Sequence, residues 1–167
     1  MTACTEVCLR RSVPSHDAPF LFALYIATRR QEVASWGWSD AQTRDFLSMQ
    51  WELQKKAYDL QYPDACDMLI MCGREASGRC LIQESANILH LIDIALLPEF
   101  RGLGIGSHVL QLLQRAATER CIPLKLSVAM NNSAQDLYRR HGFYETYSSE
   151  THIAMQWQPS VAVNRNI

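Results

Sequence analysis

Leu97-Pro98-Glu99-Phe100-Arg101-Gly102-Leu103-Gly104-Ile105-Gly106 is the stretch on which the reading of this chain turns. Three glycines at alternate positions let backbone approach a ligand closely, because nothing projects from their Cα atoms. Upstream, His90–Leu97 reads as a strand. Downstream, Ile105, Val109, Leu112, Leu113 and Ala116 recur at helical spacing. A helix start carries unpaired N–H groups and a partial positive charge, so this strand–loop–helix unit is an anion site suited to a pyrophosphate. A tight strand-to-helix turn with no ligand would carry the same glycines. A P-loop is excluded, since no Gly-Lys-Ser/Thr follows. The Gly-x-Gly-x-Gly spacing and the hairpin-like strands upstream also fit a dinucleotide-binding βαβ unit poorly.

Working outward, Pro123–Met130 alternates with Leu124, Leu126, Val128 and Met130 inward, which predicts a strand. Asn132–Arg140 predicts a short helix stopped by Gly142, followed by strands over Phe143–Tyr147 and Thr151–Trp157. Toward the N-terminus, Asp67–Cys72 and Arg79–Glu84 read as a hairpin joined through Gly73–Gly78. Ser39-Asp40-Ala41-Gln42 is a capping box. It opens a helix whose apolar residues Phe46, Met49, Leu53, Ala57 and Leu60 stand three and four apart, the expected core face. Ala18–Arg30 predicts a further helix, preceded by an alternating strand over residues 5–13. The order β-α-α-β-β-β-α-β-α-β-β predicts one mixed α/β (α+β) domain over residues 1–158, with 159–167 as a loose tail.

Sixteen Lys and Arg against seventeen Asp and Glu leave no bulk positive charge for gripping nucleic acid. The longest apolar run, Ala18 to Ala27, is about half of a membrane span. Six cysteines without a C-x-x-C pair read as buried thiols of a reduced compartment, so a cytoplasmic protein without a targeting segment or metal is expected.

Two motifs point to a family. Arg101-x-x-Gly104-x-Gly106 resembles the Arg/Gln-x-x-Gly-x-Gly/Ala signature of the GNAT superfamily of acyl-CoA-dependent N-acetyltransferases. Asn131-x-x-Ala134-x-x-Leu137-Tyr138-x-x-x-Gly142-Phe143 resembles its second motif, in family order and at family spacing. The resemblance is strong over residues 88–157. It implies that the strand holding Ile94, Ala95 and Leu96 splays from the one holding Val128 and Ala129. Acetyl-CoA would lie in the opening, its pyrophosphate on the N–H groups of Arg101, Gly102, Leu103, Gly104, Ile105, Gly106 and Ser107, its pantetheine arm steadied by Asn131.

Acyl transfer to an amine needs a proton acceptor, donors for the oxyanion and a proton for the leaving thiolate. The resemblance implies the Leu96 N–H as oxyanion donor and Tyr138 as acid toward sulfur, against a packing role for that ring. His90 is a candidate base, at a position where some relatives carry a carboxylate. Asp93 would fall on the opposite strand face, and a water chain is the other route. An acyl-cysteine intermediate is not required. Glu32, Trp36 and Trp38 are candidates for acceptor recognition, since indoles can face an ammonium; the tryptophans could equally anchor their loop. The expected partners are acetyl-CoA and an amine, small-molecule amines ahead of proteins or peptides, with a non-catalytic CoA-binding module as the third alternative. Neither nucleic acid nor membrane is expected, and a homodimer is compatible with the reading.

Overall fold

The computed structural model describes residues 6–160. Strand β1 (Val7–Arg11) leads into helices α1 (Pro14–Val33) and α2 (Asp40–Gln61), separated by a 3-10 turn at Ala34–Trp36. Strands β2 (Cys66–Cys72), β3 (Glu75–Glu84) and β4 (Leu89–Leu96) follow, then α3 (Ile105–Glu119), β5 (Leu124–Ala129), α4 (Ala134–Arg140), β6 (Tyr144–Ser148) and β7 (His152–Trp157). The expected α/β order is the observed one. The capping box at Ser39 forms as read: its Oγ accepts from Gln42 N, and Gln42 Oε1 accepts from Ser39 N at 3.0 Å.

Among the described residues, seven strands form one sheet in the order β1-β2-β3-β4-β5-β7-β6. Of these described strands only β4 and β5 run parallel, and they pair over Leu89–Leu91 and Leu124–Leu126 alone. Beyond Leu91 and Leu126 the two strands part, which produces the expected opening between Ile94–Leu96 and Val128–Ala129. One face of the sheet buries Leu89, Leu91, Leu124 and Leu126 against Val109, Leu110 and Leu113 of α3 and against Tyr138 and Phe143. On the other face lies a smaller cluster of Leu21, Trp51 and Leu69.

Several details differ from the sequence reading. The β2–β3 turn is tighter: Cys72 pairs with Glu75 across Gly73-Arg74, Gly73 takes φ 62°, and Gly78 lies inside β3. Helix α2 turns Leu47 and Trp51 inward, while Met49, Leu53 and Leu60 of the expected core face are exposed. Trp51 explains the choice, because its large ring seats over Leu21 and Leu69 and under the Arg79 guanidinium. Met130 is exposed rather than inward, lying past the end of β5. Of the cysteines, Cys80 is buried, Cys8 and Cys121 are exposed, and Cys72 is disulfide-bonded. Uniformly buried free thiols are therefore not what the fold contains. No helix among the described residues is long and apolar enough to cross a membrane. Most of the 159–167 tail falls outside the described residues.

Candidate active site

A cavity of about 800 Å³ runs from the glycine loop through the β4–β5 opening to α1 and α2. Its glycine-loop end is built by backbone. Gly102 and Gly104 adopt φ 74° and 78°, a region that a side chain makes costly, and an added Cβ at either would meet nothing within 4 Å. The loop therefore needs glycine for its conformation and leaves open space in front of it. Gly104 caps α3 and accepts from His108 N at 3.1 Å. Among the described residues, the N–H groups from Gly102 to Ser107 find no acceptor in the chain. A row of unpaired amides at the start of a fifteen-residue helix is an arrangement that can hold phosphate oxygens.

The strand end that feeds this loop is held by β3. Leu97 N donates to Ser77 O at 2.9 Å, so strand alternation turns the N–H and C=O of Leu96 the other way, into the opening. The Leu96 carbonyl accepts from Arg101 Nε at 3.1 Å. Close approach of the two strands depends on Gly78, which pairs with Leu96; a Cβ there would lie 2.3 Å from Ala95 O.

A β-bulge changes which side chains share a face. Leu81 pairs with Asp93 but Ile82 pairs with Leu91, leaving Ile92 as the extra residue. Leu89 and Leu91 before it, and Ile94 and Leu96 after it, all face the main core. Asp93 is thereby brought onto the same face as His90, against the expectation from unbroken alternation. The two still part company. Asp93 lines the cavity, where its carboxylate stands 3.5 Å from Arg79 Nη1. Arg79 is itself buried, ion-paired to Asp67 and stacked on Trp51. His90 does not line the cavity; its ring lies 5.5 Å from Tyr62 at the end of α2. Burial and, secondarily, Lys125 push its pKa down to about 4.

Tyr138 is buried on α4 with its ring 5.8 Å from Phe143, and it lines the cavity. Burial, helped by the Asp93 charge, raises its phenol to about 12. The hydroxyl is thus protonated at neutral pH and available as a donor.

Of the residues read from sequence, Ile94, Ala95, Leu96, Arg101, Gly102, Gly104, Ile105, Gly106, Ser107, Tyr138 and Glu32 come together around the cavity. Leu103 and Asn131 do not line it; Asn132 and Ser133 do, and Asn132 Oδ1 accepts from Ala134 N at the start of α4. Trp36 and Trp38 also lie outside it, half exposed, in an edge-to-face group with Phe46 at 4.8–5.5 Å. The sequence reading missed Tyr25, Arg29 and Arg79, which with Gln54 form the α1–α2 end, while Asp93, which it set on the other strand face, lines the cavity from β4. Arg29 Nη1 lies 3.2 Å from Glu32 Oε2 at the mouth. Among the described residues, no group of three or more His, Cys, Asp or Glu forms a metal-type cluster.

The arrangement resembles known folds. Solved structures similar to it include the PaiA N-acetyltransferase of Thermoplasma acidophilum in complex with coenzyme A, 16% identical over 92% of this chain and 99% of that one, TM-score 0.67. An acetyltransferase from Thermus thermophilus is 19% identical over 94% and 99%, also at 0.67. A GNAT family acetyltransferase from Elizabethkingia anophelis with acetyl-CoA bound is 14% identical over 92% and 99%, at 0.63. No curated protein matches the sequence. The model of the acetyltransferase (GNAT) family matches residues 29–143, well over half of the chain and spanning both motifs. On that match the chain belongs to the GNAT family of acetyltransferases.

Proposed function

We propose that the protein transfers the acetyl group of acetyl-CoA to the primary amine of a small molecule, by direct attack with both substrates bound. The observation that supports this best is the continuity of the cavity: phosphate-type amides at one end, a carboxylate and a tyrosine hydroxyl at the middle, and a polar mouth at the other. Acetyl-CoA supplies the activated acyl group as a thioester. The Gly102–Ser107 amides would take its pyrophosphate, and the edges of Ile94–Leu96 would pair with the pantetheine amides as a further strand would.

The chain's own groups then have distinct tasks. The Leu96 N–H donates to the carbonyl oxygen as negative charge develops there. Asp93, fixed by Arg79, accepts the proton that the amine nitrogen loses as it bonds to the acyl carbon. As the carbon–sulfur bond breaks, the Tyr138 hydroxyl gives its proton to the thiolate. This assigns the proton acceptor to Asp93 in place of His90, whose lowered pKa and contact with Tyr62 leave it poorly suited to the task. Glu32 and Arg29 at the mouth favour an acceptor carrying its own polar groups.

A thiol-release screen of acetyl-CoA against amines, amino acids and peptides tests the proposal. Turnover with a small primary amine supports it. Turnover with peptides alone replaces the acceptor class, and CoA binding without turnover on any acceptor replaces catalysis with a regulatory role.

A further inference from the structure

Helix α2 carries two apolar stripes, and among the described residues only one is buried against the rest of the fold. Leu47 and Trp51 are buried, Trp51 packing against Leu21 of α1 and Leu69 of β2. More than 100° around the same helix, Phe46, Met49, Leu53, Ala57 and Leu60 form a second stripe with no charged residue in it. Met49 is 53%, Leu53 54% and Leu60 85% exposed. At the N-terminal end the stripe continues into Trp36 and Trp38, 50% and 42% exposed, which pack on Phe46. With aromatic and aliphatic side chains this size, the continuous patch exposes roughly 600 Å² of apolar surface. Monomers rarely leave more than a few hundred square ångströms of such surface in one place.

The spacing of the stripe says what would cover it. Its steps are three, four, four and three residues, so the pattern reads the same from either end about Leu53. An isologous two-fold contact demands that kind of self-complementarity, because one patch must meet its own copy reversed. Antiparallel pairing about Leu53 sets Phe46 opposite Leu60 and Met49 opposite Ala57, a large residue against a small one. The tryptophans then close over the exposed Leu60 of the other copy. With the polar rim on either side, the patch approaches the roughly 800 Å² per partner of a stable interface.

We propose that the protein forms a two-fold homodimer through this outer face of α2, and that Trp36 and Trp38 serve that interface. The inner face of the same helix presents Trp51 and Gln54 to the cavity, so the two faces are separable by mutation.

Sedimentation equilibrium on the full chain across a wide concentration range tests the proposal. Wild type is expected at twice the chain mass. Leu53→Glu sets two like charges against each other at the axis and should weaken the dimer by about 100-fold or more, leaving circular dichroism, melting of the monomer and CoA affinity unchanged. Met49→Lys and Ala57→Glu should each weaken it, and the double variant, which places opposite charges across the axis twice, should recover much of the loss. A wild-type monomer at high concentration, as when another segment or another protein covers the stripe, overturns the proposal. So does a dimer indifferent to Leu53→Glu. A double variant no tighter than its parents overturns the antiparallel register.

Discussion

Gly78→Ala tests whether the strand end beside the glycine loop is placed by its neighbour. Gly78 touches no part of the cavity, yet it pairs with Leu96, the residue whose N–H faces the opening. An added Cβ would stand 2.3 Å from Ala95 O and 2.7 Å from Leu96 Cδ2. Side chains swing aside, but the Ala95 oxygen is backbone and moves only with the strand. Restoring an ordinary contact requires β4 to retreat by about 1 Å, and displacements of that size can cost about 100-fold in rate when donors must match a developing charge. Overpacking of this kind also destabilises by about 1–3 kcal/mol. The variant should therefore melt lower but fold, bind CoA through the untouched Gly102–Ser107 amides, and lose most of its kcat. Thermal melts, calorimetry with CoA and steady-state kinetics on one preparation separate these effects. Wild-type kcat in a folded Gly78→Ala protein would refute the claim that β3 sets the position of the Leu96 N–H.

Other substitutions probe the individual groups. Tyr138→Phe keeps the ring against Phe143 and removes the hydroxyl, so CoA affinity should persist while kcat falls by about 10²–10⁴-fold; an unchanged rate with chemistry limiting would reduce Tyr138 to packing. Asp93→Asn should lower kcat over a similar range with little unfolding, because Arg79 keeps its ion pair with Asp67, and a retained rate would send the amine proton elsewhere. His90→Gln should leave kcat alone and change the pH dependence of stability instead. The folded chain holds His90 neutral down to about pH 4 while the unfolded chain takes up its proton near 6.5, so stability is lost as pH falls through that window. Denaturant melts between pH 7 and 4 should show a shallower decline in the variant, and parallel curves would contradict the assignment.

The glycine loop and the Asn131–Phe143 motif were readable because each needs particular residues at fixed spacing. They carried the fold, the opening between β4 and β5, and most of the glycine-loop end of the cavity. The acceptor end was less legible. Asp93 was assigned to the wrong face because alternation was counted through a bulge, although the sequence held the signal: Leu89 and Leu91 are out of phase with Ile94 and Leu96. In a single strand with one buried face, that slip demands an extra residue between them. Helix α2 misled for a different reason. Counting favours the longer stripe of Phe46 to Leu60, but burial follows where a large ring fits, and Trp51 decides that only once β2 and β3 are beside it. Trp36 and Trp38 were linked to the acceptor by their place in the chain between two helices, and no local pattern tells a cavity wall from an outer surface. Arg29 and Arg79 carried no sequence motif at all; their roles come from what the fold sets against them.

The most direct test of the account is a crystal structure of the protein with acetyl-CoA bound. The account predicts the pyrophosphate on the Gly102–Ser107 amides, pantetheine between Ile94–Leu96 and Val128–Ala129, the thioester carbonyl at the Leu96 N–H, and sulfur facing the Tyr138 hydroxyl, with Asp93 open to the α1–α2 side. Acetyl-CoA lying outside the β4–β5 opening, or entering it with the thioester turned away from Leu96, Tyr138 and Asp93, would contradict it.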